Sequence, residues 1–399
     1  MVTAGNSGLG QRIMVLRLRR RMTREILASL VGRSSEWLRQ VELHQRPVDR
    51  LSVLLRLAEV LRVQDVAGFL ALASGEALPS VPPSVARSPE TSRAIREALL
   101  GSWGDTDGIE SPGVAHRVRQ DYWSIWRSSA RRYSFALSVL PDMLKEARAL
   151  KARGHPGDAE AFADVHRFAA SVLVRMGEGQ LALVAIERGL GAGRIEDLAS
   201  AGAVIRISYG AVLLNNDHAD MAARVFRAAG EVLERRGATD DGCAVRALRA
   251  EAASATAVAE AARADAVEAD RHLMAAEQIL AGGPPDLACG SWETTLNRIR
   301  SYIRLGRYQP AIRLAERTDV GEQESRDWLA QFFLQIAEAQ ERSHAPVAAV
   351  YSLLQAEEAS SEEIRFNPAG GRLAQMLLRH DNALVRRKLW AMLERNGLL

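Results

Sequence analysis

No run of about 18 apolar residues free of charge, the length a membrane-spanning helix needs, occurs in this 399-residue chain. The N-terminus also lacks the apolar stretch that follows the leading charges of a secretory signal. An intracellular, cytoplasmic protein with no membrane contact is therefore expected. Cysteine is scarce: Cys243 and Cys289 stand far apart with no CxxC spacing. They are expected to be two ordinary buried thiols, and nothing in their pattern implies an oxidising compartment. Aromatic residues make up only 5% of the chain and long β-branched runs are rare, while alanine is abundant. That mixture favours packed helices over sheets. With 47% apolar residues there is enough to build cores, which argues against wholesale disorder.

The motifs of common catalytic chemistry are missing too. There is no Walker glycine loop followed by Lys-Ser/Thr, no GxGxxG opening a βα unit, no HExxH and no GxSxG elbow. Asp217, His218 and Asp220 cluster in sequence, but in a polar turn between helices that suits capping and solvation better than a metal. No cofactor, no metal and no enzymatic activity are expected.

What is present is an uneven charge. The whole chain carries only +3, yet residues 1–75 hold 12 arginines against 6 acids, and six arginines with no acid fall between Gly10 and Arg24. Such a local excess suits a polyanion. Lysine is absent between Gln11 and Arg62. The same stretch reads as short helices. The first spans Gln11 to Arg20. Thr23 caps the second, which turns Ile26, Leu27 and Leu30 inward, and Ala28 lets the next helix approach. Gly32 supplies a left-handed turn, Ser34 caps a third helix buried through Trp37, Leu38 and Val41, and Leu51, Leu54, Leu55, Ala58 and Leu61 mark a fourth.

Two helices joined by a glycine turn, the second opening on serines, resemble the Cro/CI-type repressor helix-turn-helix, over roughly residues 10–75. The resemblance implies a phosphate contact for Arg24, exposed recognition positions for Ser35, Glu36, Arg39 and Gln40, and a pair of Arg17 with Glu42 that fixes the first helix to the third. Arginine suits phosphate or guanine, glutamine suits adenine, and a carboxylate can accept from cytosine. Arg33, Arg46 and Arg50 are candidate backbone contacts. For each, a plain solvated face is the alternative reading. This chain departs from the family at Arg24, where glutamine is usual, and at His44, where a glycine often ends the third helix. Double-stranded DNA is the implied partner, and two-fold sites make a homodimer the expected assembly.

Pro79 to Ser84 reads as a stiff tether, and Pro89 to Leu100 as a short helix. From about Gln120 onward, apolar residues recur at helical spacing in pairs of segments separated by turns at Asn216-Asp217-His218, Gly306-Arg307-Tyr308 and Glu341 to His344. First helices are expected to begin near 201, 244, 293 and 327, giving four or five pairs and a terminal helix over 381–399. Tyr209-Gly210 followed by Ala222 and Phe226, and Leu305-Gly306 and Tyr308 followed by Ala311 and Ala315, resemble tetratricopeptide repeats. The expected fold is all-α: an N-terminal helix-turn-helix bundle over 1–76, a linker with a short helix over 77–119, and a tetratricopeptide-like α-solenoid over 120–399 that serves sensing and dimerisation. Its concave side is expected to bind a small signalling molecule or peptide through Arg206, Tyr209, Asn215, Asn297, Arg300 and Arg304, with Gln335 beside them. The layout resembles peptide-pheromone-responsive regulators of Gram-positive bacteria, and the Ala, Arg and Gly content suits a GC-rich bacterium such as an actinomycete. The rival reading is a non-enzymatic scaffold whose repeats recruit a protein partner.

Overall fold

The computed structural model describes residues 9–10, 13–14, 16–17, 20, 22–43, 46, 48, 51–61, 63, 89–101, 121–153, 158–191, 199–235, 242–282, 291–321, 323–380 and 384–398. All of its regular structure there is helical. After a leading helical segment that includes Ile13 and Arg17 come α1 (Arg24–Leu30), α2 (Ser35–Glu42) and α3 (Leu51–Val60). The short helix expected at Pro89–Leu100 is α4. Then follow α5 (Trp123–Ser128), α6 (Arg132–Arg153), α7 (Asp158–Arg175), α8 (Gly179–Leu190), α9 (Ala199–Asn215), α10 (Ala219–Glu234), α11 (Cys243–Ala262) and α12 (Ala266–Ala281). The chain closes with α13 (Ser291–Arg304), α14 (Tyr308–Glu316), α15 (Arg326–Arg342), α16 (Pro346–Ala359), α17 (Ser361–Phe366), α18 (Pro368–Leu378) and α19 (Arg386–Arg395). Among the described residues no helix is long and apolar enough to cross a membrane.

The small bundle and the large helical part are each built on local capping. Thr23 Oγ1 accepts the Ile26 N–H at the start of α1, and Ser34 Oγ accepts the Trp37 N–H at the start of α2. Gly32 sits between them at φ +65°, and the following Arg33 N–H closes back onto the Ala28 carbonyl at 2.8 Å. A left-handed residue is what lets that bond form. Leu9, Ile13, Leu27, Leu38, Leu57 and Leu61 form the core beneath. Ile26 and Leu30, expected inside, are 49% and 44% exposed. The short α1 has room for one inward stripe, and Leu27 and Ala28 occupy it. Trp37 is half-buried at the core's edge, with the Arg33 guanidinium 5.7 Å from its ring centroid.

Five helix pairs follow one design: α7/α8, α9/α10, α11/α12, α13/α14 and α15/α16. Each turns on a single left-handed residue, Gly177, Asp217, Ala264, Gly306 or His344, with φ between 60° and 79°. In each, the next residue's N–H (Glu178, His218, Asp265, Arg307, Ala345) returns to a carbonyl of the first helix at 2.8–3.0 Å. That bond satisfies a carbonyl the helix end would otherwise leave open. The observed starts at 199, 243, 291 and 326 lie close to those expected from periodicity. The alanine-rich stretch around 250–266 is a pair of the same kind, with Ala252, Ala255 and Ala259 letting α11 sit against its neighbours. At the α9/α10 crossing, Gly210 is required by space: a Cβ there would lie 2.5 Å from the Phe226 ring.

The short helix α4 packs onto the large helical part. Its Ile95, Ala98 and Leu99 enter the core formed by α6, α7 and α8. Cys243 also departs from expectation. It lies half-buried at the first position of α11, outside that helix's buried stripe, and is disulfide-bonded, so the reading of unpaired buried thiols is corrected. Disulfides are uncommon in reducing compartments, so the cysteines lend no support to an intracellular location. Cys289 lies outside the described residues.

Candidate functional site

Two places gather chemistry-bearing side chains. The first is the outer face of α2. Its inner side is locked by Leu38, Val41 and Glu42, all buried. Glu42 has a fully buried carboxylate that accepts Arg17 Nε at 2.6 Å, Arg17 Nη2 at 3.0 Å and Arg24 Nε at 2.7 Å. The expected Arg17–Glu42 pair is therefore present, and Arg17 also donates to the Met22 carbonyl at 2.9 Å. Arg24 shares the same carboxylate while its side chain stays 39% exposed. Charged groups buried this way remain stable only when paired, so the cluster fixes the angle at which α2 leaves the bundle.

On the outer side, Glu36 is exposed and gathers its neighbours. It accepts Arg39 Nε and Nη2 at 2.8 and 2.7 Å and Gln40 Nε2 at 3.1 Å. The Arg39 hydrogen bonds hold the Glu36 carboxyl below its ordinary range. Ser35 is half-buried beside them and Arg46 is exposed. Arg33 is half-buried over Trp37. Arg50 lies outside the described residues. Ser35, Glu36, Arg39 and Gln40 thus share one short helix, with Arg24 and Arg33 at its flank.

The second place is a cavity of about 710 Å³ lined chiefly by the first helices of the repeated pairs, α7, α9, α11, α13 and α15, with Trp123 and Trp126 of α5 also on its wall. Asn215, Asn297, Arg300, Arg304 and Gln335 line it; Arg206 and Tyr209 do not. Arg206 donates to the Gly202 carbonyl of its own helix. Tyr209 packs into the cores on either side of α9, where burial and Glu187 raise its phenol above the ordinary value. Asn215 Nδ2 donates to the Ala211 carbonyl at 2.9 Å, and buried Asn297 donates to Ser254 Oγ at 3.1 Å. Each amide therefore spends one donor inside the fold.

The lining also holds groups the sequence reading did not single out: Arg175, Glu251, Glu293 and Asp327. Desolvation, with Glu293 facing it, pushes the Glu251 carboxyl up to about 8, and the surrounding protein raises Glu293 as well although its side chain stays open to solvent. Burial pulls the Arg300 guanidinium down to about 10 and lowers Arg304. The signal in the sequence was a charge standing inside an otherwise apolar helical stripe, as with Glu251 among the alanines of α11.

One wall of the cavity belongs to a buried ionic knot. Arg132 at the start of α6 pairs with Glu363 of α17 and lies 3.4 Å from Asp327 of α15. Arg175 reaches Asp327 at 3.3 Å. Asn367 Nδ2 and the Tyr133 hydroxyl donate to Glu363 at 2.7 and 3.0 Å, and Gln331 donates to it too. Burial pushes Glu363 up, but Arg132 and Arg175 outweigh it and hold the carboxyl below its ordinary value. Next door, Glu362 accepts the Tyr133 and Ser134 N–H groups at 2.8 and 3.0 Å, an anion seated on the N-terminus of α6. These bonds tie the first helices of the large part to its last pairs.

The two places meet at α5. Trp123 and Trp126 face the cavity, while Ile125, with Tyr122 just before it, packs into the core of the N-terminal bundle together with Phe135 and Val139 of α6. No protein-family model, curated protein or solved structure matches this chain.

Proposed function

We propose that the chain is a sequence-specific DNA-binding transcriptional regulator whose helical-repeat part senses a small signalling molecule or peptide and modulates operator binding. The observation that carries this reading is α2: one face is anchored through Leu38, Val41 and Glu42, and the other offers Ser35, Glu36, Arg39 and Gln40 to solvent. A helix held rigidly at its back with polar side chains along its front has the form a major-groove reader requires. The local arginine excess supplies affinity for the phosphate backbone. The Cro/CI-like spacing of residues and the tetratricopeptide-like Gly210–Phe226 crossing support the same assignment. A homodimer places two such helices on half-sites about one DNA turn apart.

The repeat part acts on the bundle through α5. An occupant of the cavity meets Trp123 and Trp126, and any shift of that short helix moves Ile125 within the bundle's core. Differential affinity of the effector for two positions of α5 is what would change DNA binding.

Selection of genomic fragments by the purified full chain tests the proposal. The expected result is a palindromic preference, with an affinity that falls steeply as salt rises. Equal affinity for selected and random duplexes at modest ionic strength overturns it, and a stable protein partner with no duplex preference favours a scaffold.

A further inference from the structure

Resting on the reading of the repeats as a sensor, we propose that the cavity binds an amphiphilic organic oxyanion, its head held by Arg300 and Arg304 and its apolar body against Leu214, Ile303 and Leu334. The two arginines lie one helical turn apart on α13 and both line the cavity. Arg300 has one hydrogen-bond acceptor, Asn297 Oδ1 at 3.1 Å. Among the described residues neither guanidinium comes within ion-pair distance of a carboxylate, whereas Arg132, Arg175, Arg227, Arg263 and Arg307 all do. Two adjacent forks without a carboxylate partner on one cavity wall match the oxygens of a carboxylate or phosphate, which guanidinium binds in a bidentate way.

The nearby acids supply only part of the countercharge: Glu338 and Asp217 act on Arg304, and Asp327 on Arg300, from beyond ion-pair distance. Glu251 faces Glu293 and Arg300 from α13 and Arg167 from α7, and it remains largely protonated at neutral pH. Glu293, which also feels Asp327 from α15 and Arg175 from α7, is shifted in the same direction. The cavity is thus more cationic than its residue types suggest, and an anion's arrival reinforces the protonated state of Glu251. Raising the pH through about 8 ionises Glu251 and sets a new negative charge beside the head.

Calorimetric titration of the full chain without DNA tests this, using octanoate, octyl phosphate, methyl octanoate and octylamine as probes. The expected result is saturable binding of at least one anion, with the ester and the amine at least about tenfold weaker. The better of the two anions names the head group. Arg300→Gln/Arg304→Gln lowers anion affinity about tenfold or more and leaves the ester unchanged; the single Arg304→Gln, at an exposed position, lowers it without disturbing the fold. Anion binding weakens between about pH 6.5 and pH 9, and Glu251→Gln flattens that dependence. No saturable anion binding, ester or amine binding as tight as the anions, or affinities indifferent to the arginine variants each overturn the proposal. Since no DNA is present, such a failure leaves the DNA-binding reading standing, and a failed fragment selection leaves this one standing.

Discussion

Arg132 and Glu363, 231 positions apart in the chain, form an ion pair in which both side chains are completely buried. The pair joins α6, on which the N-terminal bundle packs through Phe135, to α17 near the end of the repeats. Removing one partner leaves the other charge buried with only a longer ion pair, Asp327 at 3.4 Å for Arg132 or Arg175 at 3.8 Å for Glu363, so the loss falls at the lower end of the about 3–5 kcal/mol of a broken buried pair. Arg132→Met or Glu363→Gln should therefore lower the melting temperature sharply by circular dichroism. Arg132→Met combined with Glu363→Met should recover part of the loss, because neither half of the pair is left buried and Arg175 and Asp327 still pair with each other at 3.3 Å. A double variant less stable than either single one would contradict this account.

If α2 reads a duplex as proposed, Glu36 restrains the side chains it would use. Glu36→Gln removes a negative charge from that face and frees Arg39 from its two hydrogen bonds. Binding to random duplex should strengthen, while discrimination among sequences falls. Arg39→Ala should lose discrimination by about 1–3 kcal/mol at the base it reads, whereas Arg24→Ala should weaken binding uniformly across sequences. Gel-shift titrations on selected and random fragments separate these outcomes, and equal losses on both fragments for both arginine variants would refute the division of labour.

The repeat turns differ in how well they suit their left-handed residue. Ala264 holds φ +62°, where a Cβ is costly by about 1–2 kcal/mol. Ala264→Gly should raise the melting temperature, even though glycine usually weakens helical regions. Gly210→Ala should act in the opposite sense, destabilising by about 1–3 kcal/mol as its Cβ meets the Phe226 ring. Thermal melts of the two variants should move in opposite directions.

Glu251 gives the fold a pH dependence. Its carboxyl is raised from an ordinary 4.5 to about 8, so the folded chain binds a proton that the unfolded chain releases. Its contribution to stability is full below pH 4.5 and is lost as pH rises to about 8. Glu251→Gln should stabilise the protein more near pH 8.5 than near pH 5.5, as urea midpoints would show. An equal effect at both pH values would mean that the carboxyl titrates normally.

Much of this architecture was legible because it is local. Thr23, Ser34, Gly32 and Gly306 signal caps and turns through their own chemistry, and the pairing of Arg17 with Glu42 followed from a resemblance tied to specific residues. The turns at Ala264 and Gly177 were harder to see. Alanine carries no turn signal, and the pairs expected from periodicity begin only near 201, beyond Gly177. Ile26 and Leu30 misled because helical periodicity says which residues share a face, not which face meets the core.

Of the candidate ligand residues, those on α13 reached the cavity, while Arg206 and Tyr209 of α9 did not. A few tens of degrees of helix rotation separate those outcomes, and packing against distant helices sets that rotation. The order of residues alone determined an all-helical chain, a basic capped pair of helices at its start and a cadence of helix pairs after it. Those features rest on backbone propensity and capping between neighbours in sequence. Only the tertiary structure decided that α6 and α17, on either side of the helix pairs, join through Arg132 and Glu363, that Arg300 and Arg304 face one cavity, and that α5 touches both cavity and bundle. Each is a meeting of residues far apart along the chain, selected by burial and charge pairing that no local pattern encodes.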